Sequence, residues 1–138
     1  MQGSVFFTKT YDEAVSLVED AREYFEGPGA GFTATLEPVD SLAYSAETLK
    51  LTTLLTEAMA WLTILRARHE GTLDAEFLFT EEYRLGNDET CLAEPLIDHE
   101  KLPRQMRELL RRSELLYRRL ARLDAMIREE ADLYTMPG

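Results

Sequence analysis

At 138 residues and 15.8 kDa, the chain fits one compact domain spanning residues 1–138, and a chain of this size buries about two-thirds of its unfolded surface without a disulfide or metal staple. Hydrophobic residues make up 45% and charged residues 30%, the balance of a soluble globular protein and not of a disordered one. The single cysteine, Cys91, excludes an internal disulfide framework and a multi-cysteine zinc site, and it suits a reducing cytosol. No run of about 18 residues lacks charge, so no segment reads as a membrane span. The apolar run Val5-Phe6-Phe7 is too short for a secretory signal.

The net charge of −11 conceals an asymmetry. Residues 1–100 hold 20 acids and 6 bases (−14), whereas residues 101–138 hold 6 acids and 9 bases (+3). An acidic chain repels nucleic acid unless its basic face stands well apart. Packing the basic segment beside acidic ones, or leaving it solvated, outweighs nucleic-acid binding as an explanation.

Three segments carry helical periodicity, punctuated by Gly27-Pro28-Gly29, Pro38, Gly71, Gly86, Pro95 and Pro103. The first is expected over Thr8–Glu26, with Ala14, Leu17, Val18, Ala21 and Phe25 on one stripe. Asp12 and Glu13 are expected near its positive N-terminal end, and Gly27-Pro28 stops it. The second is expected to begin at Asp40 as N-cap and to end near Gly71. Leu51, Leu54, Leu55, Ala58, Met59, Trp61, Leu62 and Leu65 leave it apolar over much of its circumference, and between Lys50 and Arg66 its only charge is Glu57. Such a helix belongs at the centre of a bundle.

Glu70–Lys101 follows with 10 acids and 2 bases. Connections in compact domains are usually far shorter, so this one should hold local structure or a function. Thr72–Leu85 is read as a short helix, with Leu78, Phe79 and Leu85 seeking cover. The third long helix is expected from Pro103, as first helical residue, to about Tyr134. Met106, Leu109, Ser113, Leu116, Leu120, Leu123 and Ile127 form its heptad-like seam, flanked by Leu110, Tyr117 and Asp124. The fold expected is an all-α, antiparallel three-helix bundle with two long helices and a long acidic connector. The short first helix cannot shield the hairpin of the other two. Apolar surface left bare must meet the connector or a second copy, so a homodimer is expected.

No arrangement for catalysis stands out. His69 and His99 are the only histidines. Arg68-His69-Glu70-Gly71 lacks the lysine expected beside a phosphotransfer histidine, and a histidine at a helix C-terminus is explained by the dipole. Asp98, His99, Glu100 and Cys91 show no repeated metal spacing. Cys91 has no partners that mark a nucleophile. A glycine-rich phosphate loop, a nucleophile elbow and a His-Glu-x-x-His pair are all absent, so neither cofactor nor metal is expected. The best surface candidate is Arg104, Arg107, Arg111, Leu115, Arg118 and Arg122, a stripe at helical spacing opposite the seam with an apolar centre. That composition is favoured at protein interfaces. A solvated face with local ion pairs, or a dimer contact, competes for the same residues.

Three strings add to this reading: Leu42-Ala43-Tyr44-Ser45-Ala46-Glu47-Thr48-Leu49-Lys50-Leu51-Thr52-Thr53-Leu54-Leu55 followed by Ala60-Trp61-Leu62; Glu81-Glu82-Tyr83-Arg84-Leu85-Gly86 with Cys91 beyond; and Leu102-Pro103-Arg104 through Ser113-Glu114-Leu115-Leu116-Tyr117-Arg118-Arg119-Leu120-Ala121-Arg122-Leu123-Asp124. In order and content they resemble the regulator of CtrA degradation (RcdA) family of alphaproteobacteria, over roughly residues 10–127. The resemblance implies a cytoplasmic, dimeric, non-enzymatic helical-bundle adaptor for the ClpXP protease, coupling proteolysis to the cell cycle. Its implied partners are the protease, a response-regulator-like primer of the CpdR type and a further adaptor of the PopA type. On that reading the arginine stripe and the acidic connector around Tyr83 and Arg84 are partner surfaces of opposite charge. Family members can carry a flexible C-terminal extension; this sequence departs from that pattern by stopping at Thr135-Met136-Pro137-Gly138, which puts any delivery step that depends on such a tail in doubt. The alternative from another class is a small DNA-associated regulator that uses the arginine-rich helix.

Overall fold

Two stretches of 32 residues, neither with an internal glycine or proline, set the architecture. The computed structural model describes the backbone of residues 2–71 and 84–135 and the side chains of 7–71 and 84–129. In chain order the elements are α1 (Gln2–Glu26), a 3-10 turn (Phe32–Thr35), α2 (Pro38–His69), the short α3 (Asp88–Cys91), a second 3-10 turn (His99–Lys101) and α4 (Arg104–Thr135). Among the described residues no strand occurs, so the all-α bundle holds.

Several ends differ from the sequence reading. α1 starts at Gln2, not Thr8, so Asp12 and Glu13 lie well inside it instead of near its positive end. α2 starts at Pro38 with Glu37 as N-cap. Proline's fixed φ suits a first helical position, and Asp40 falls in the first turn, still favoured by the dipole. Pro103 precedes α4, and its carbonyl accepts from the Arg107 N–H at 3.0 Å. Gly71, with φ +79, ends α2 as a left-handed residue should. Most of the short helix expected over Thr72–Leu85, with Leu78 and Phe79, lies outside the described residues; Arg84 and Leu85 are not helical.

Side-chain pairs fix the directions. Tyr24 meets Tyr44 and the Arg66 guanidinium sits over the Tyr11 ring, so α1 runs antiparallel to α2. Arg112 pairs with Asp20 and Arg119 with Glu13, so α1 is also antiparallel to α4. α2 and α4 therefore run parallel, with Trp61 Nε1 donating to Asp124 at one level and Lys101 facing Asp40 at their shared N-terminal end. The hairpin expected from these two helices does not form. A hairpin needs only a short loop, whereas a parallel pair needs a crossover that travels the length of the bundle, and this is what the long connector does.

One core joins all three long helices. Ala14, Leu17, Ala21 and Tyr24 come from α1, Tyr44, Leu51, Leu54, Leu55, Ala58, Trp61 and Leu62 from α2, and Met106, Leu109, Leu110, Leu116, Tyr117 and Leu120 from α4. The connector adds Leu85, Cys91, Ile97 and Leu102. Val18 departs from the expected stripe: it is 39% exposed. Near the α1–α2 turn, Gly29 lies against the Tyr24 ring, where any Cβ would come within 2.7 Å of a ring carbon.

Candidate interaction surfaces

α4 is strongly two-faced. Its seam residues Met106, Leu109, Ser113, Leu116 and Leu120 are buried, while Arg104, Arg107, Arg111, Leu115, Arg118 and Arg122 are all exposed. The six share one face because their spacings of three and four residues match the helical repeat. Arg111 reaches Glu108 at 3.1 Å and Arg118 reaches Glu114 at 2.9 Å, pairs within one helix that leave the guanidinium groups solvated. Hydrogen bonding to Arg111 holds the Glu108 carboxyl below the usual range. Arg104, Arg107 and Arg111 also border a recess of about 370 Å³ with His99 and Glu108. Leu115 is 51% exposed at the centre of the stripe.

The remaining arginines of this segment turn inward. Arg112 and Arg119 bond α1 carboxylates at 2.9 and 2.8 Å, and Arg128 bonds the buried Asp124 at 3.1 Å. The charge asymmetry along the chain is thus partly satisfied within the bundle and partly solvated.

The connector is laid onto α2 by polar groups that sequence reasoning missed. Descending α2, Glu57 accepts from the Gly86 N–H and the Asn87 side chain, Lys50 donates to the Ala93 carbonyl at 2.7 Å, and Glu47 accepts from the Leu96 N–H at 3.1 Å. Glu47 also faces His99 Nε2 at 3.7 Å, and Lys101 closes the row on Asp40. Glu47 and Lys50 are buried despite their charge. Their sequence signal is spacing: positions 40, 47, 50 and 57 recur at helical intervals on one face. From α4, Tyr117 Oη donates to the Gly86 carbonyl at 2.6 Å.

Arg84 lies at the start of this strapped stretch and is exposed, whereas Tyr83 lies outside the described residues. Cys91 is fully buried, and burial together with the Glu57 charge pushes its thiol up to about 11, so it is a protonated core residue at neutral pH. His69 is the exposed last residue of α2. On the opposite side of α2 from the connector, an open apolar groove of about 760 Å³ runs against α1 and includes Val18, Phe25, Leu55 and Met59. Among the described residues, no group of three or more His, Cys, Asp or Glu side chains could hold a metal ion, and no helix is long and apolar enough to cross a membrane.

The family model described as "Protein of unknown function (DUF1465)" matches residues 1–136. The chain belongs to this family. The crystal structure of RcdA from Caulobacter crescentus CB15 is similar over 88% of this chain and 89% of its own length, with 31% sequence identity and a TM-score of 0.69. No curated protein matches the chain. The likeness seen in three strings is thus a relationship to RcdA along nearly the whole chain.

Proposed function

We propose that this protein is a non-enzymatic adaptor that, as a homodimer, tethers regulatory substrates or further adaptors to the ClpXP protease in cell-cycle-regulated proteolysis. The observation that carries this reading is the likeness to RcdA in sequence and fold. An adaptor needs no reaction centre, only surfaces that hold two partners close. Tethering of that kind raises the effective concentration of a substrate at the unfoldase without new chemistry.

The arginine stripe on α4 and the connector around Tyr83 and Arg84 are the two partner surfaces in this proposal. Arginine forks recognise carboxylates through paired hydrogen bonds, and an exposed leucine at the centre of the stripe supplies an apolar anchor. ClpX, a CpdR-type primer and a PopA-type adaptor are the proposed partners.

The test is a pull-down with the purified protein, using Arg111→Glu/Arg118→Glu as the comparison. Both positions are exposed and their ion pairs are local, so the variant should fold normally. Recovery of ClpX with a response regulator by the native protein, and loss of one of them from the variant, is the expected result. Recovery of neither by the native protein overturns the adaptor reading; equal recovery by both proteins removes the stripe from it.

A further inference from the structure

Five guanidinium groups of the α4 stripe stand against two carboxylates. Arg111 and Arg118 pair with Glu108 and Glu114 one turn away, whereas Arg104, Arg107 and Arg122 make no ion pair among the described residues. In a chain with 26 acids and 15 bases, this is a concentration of positive charge that the fold leaves unmatched. Arg112 and Arg119, on the neighbouring face, are by contrast tied to Asp20 and Glu13 of α1. The two pairs within the stripe are largely solvated, so they compete weakly with a carboxylate that a partner brings. Half-exposed Leu115 divides the stripe, with Arg111 four residues before it and Arg118 three after.

The spacing selects the kind of chain that matches it. Positions 104, 107, 111, 115, 118 and 122 take five steps over 18 residues, which is about 27 Å of helix, or roughly 5.4 Å per step. A second α-helix laid alongside presents one face at the same mean interval, because it has the same pitch. An extended strand presents one face about every 6.6 Å and needs roughly 33 Å for five steps, so it slips by a full position along the stripe. Nucleic acid is disfavoured for a different reason. A phosphate backbone offers nothing apolar to Leu115, and Glu108 and Glu114 beside the stripe repel a polyanion.

We infer that the α4 stripe seats an acidic amphipathic helix of a partner protein, its carboxylates facing the arginines and one apolar side chain facing Leu115. Charge complementarity sets the sign of the occupant, Leu115 sets its apolar centre, and the helical interval sets its form. Arginine suits this contact because its planar fork grips a carboxylate through two parallel hydrogen bonds. The matching face carries Asp or Glu three or four residues to either side of a leucine-like residue, and again one turn further out. The acidity of the rest of the chain then contributes to placement. A net charge of −11 repels an acidic helix from most of the surface and leaves the stripe as its landing site.

This assignment rests on the stripe being a partner surface, as proposed above, and adds the chemistry of what it holds. The probe is a fluorescein-labelled, alanine-based peptide that repeats the spacing of the stripe, with glutamate for each arginine and leucine at its centre, made in both chain directions. Its anisotropy should rise with the native protein at physiological salt, and its circular dichroism should gain helix on binding. Arg111→Glu/Arg118→Glu should weaken binding at least ~10-fold, and Leu115→Ser by about 3–10-fold. Arg22→Glu/Arg68→Glu makes the same change in net charge at exposed sites on α1 and α2, and should alter binding by no more than about twofold because salt screens distant charges. Failure of the native protein to bind the peptide in either direction overturns the inference, as does unchanged binding by either stripe variant. So does an equal loss in Arg22→Glu/Arg68→Glu, which reduces the effect to net charge. Equal binding of a peptide whose helix is broken by central prolines makes the occupant extended, and tighter binding of a DNA duplex than of the peptide makes it nucleic acid; either result overturns the inference too. The adaptor reading is judged separately, by recovery of ClpX in the pull-down. A native protein that recovers ClpX and ignores the peptide loses only this occupant.

Discussion

α2 and α4 have the same length and point the same way, yet they distribute polarity differently. α4 separates its faces: leucines inward, arginines outward, with Arg112 and Arg119 at the border reaching α1. α2 has no such division. Its charges Glu47 and Lys50 are buried under the connector, and between residues 41 and 63 its exposed side chains are Leu42, Ser45, Leu49, Thr52, Thr56, Ala60 and Thr63, none of them charged. The difference shows that exposure cannot be assigned from polarity alone. On α2 the buried charges hold a crossing segment, whereas on α4 the arginines either reach α1 or meet solvent.

The inner faces should prove equivalent despite this contrast. Leu62 and Leu116 are both fully buried. Leu62→Ala and Leu116→Ala should each destabilise by about 2–5 kcal/mol in urea titrations followed by circular dichroism. A much smaller loss at either position would mean that its helix is not part of the common core.

The polar residues should separate the two helices. Lys50→Ala removes the bond to the Ala93 carbonyl from a buried site and should cost about 1.5–3 kcal/mol, with faster amide exchange at residues 92–97. Arg112→Ala and Arg119→Ala, whose ion pairs are half-exposed, should cost only ~0.2–1 kcal/mol each, and the cost should shrink in high salt. If Lys50→Ala were as mild as these, the connector would not depend on its hold on α2.

The last expected effect is confined to alkaline pH. Burial raises the Cys91 thiol from its usual 9.0 to about 11, and burial likewise raises Tyr24 and Tyr117. A proton held more tightly in the native state than in the unfolded one makes stability fall as pH rises from about 9 toward 11. Thermal melts across that window should show the fall, and Cys91→Val should make it shallower.

Much of this arrangement was legible in the sequence, for reasons that can be named. The α4 seam and the arginine stripe follow from spacing alone, because each keeps a strict rhythm over at least five turns. The central position of α2 follows from its want of charge between Lys50 and Arg66. Direction was not legible: periodicity reports which face is buried but is blind to whether a helix runs up or down. The signal that bore on it was the length of the connector. Glu47 and Lys50 read as surface charges because their partners, Leu96 and Ala93, offer backbone atoms that no residue pattern reveals. Pro38 and Pro103 both precede long helices, yet one is the first helical residue and the other the residue before it. That distinction depends on local dihedrals and not on residue type.

The parallel course of α2 and α4 also imposes an order on folding. α1 and α2 are joined by the 11 residues Gly27–Glu37 and can zip together as a local hairpin, whereas α4 follows α2 only after the 34 residues Glu70–Pro103. Closing a longer loop costs more chain entropy, and contacts that are far apart in sequence form late. Loop closure alone therefore favours pairing of α1 with α2 before the docking of α4. Because the arginine stripe rides on α4, the chain-entropy cost of positioning the face with the densest positive charge falls on the longer of the two closures.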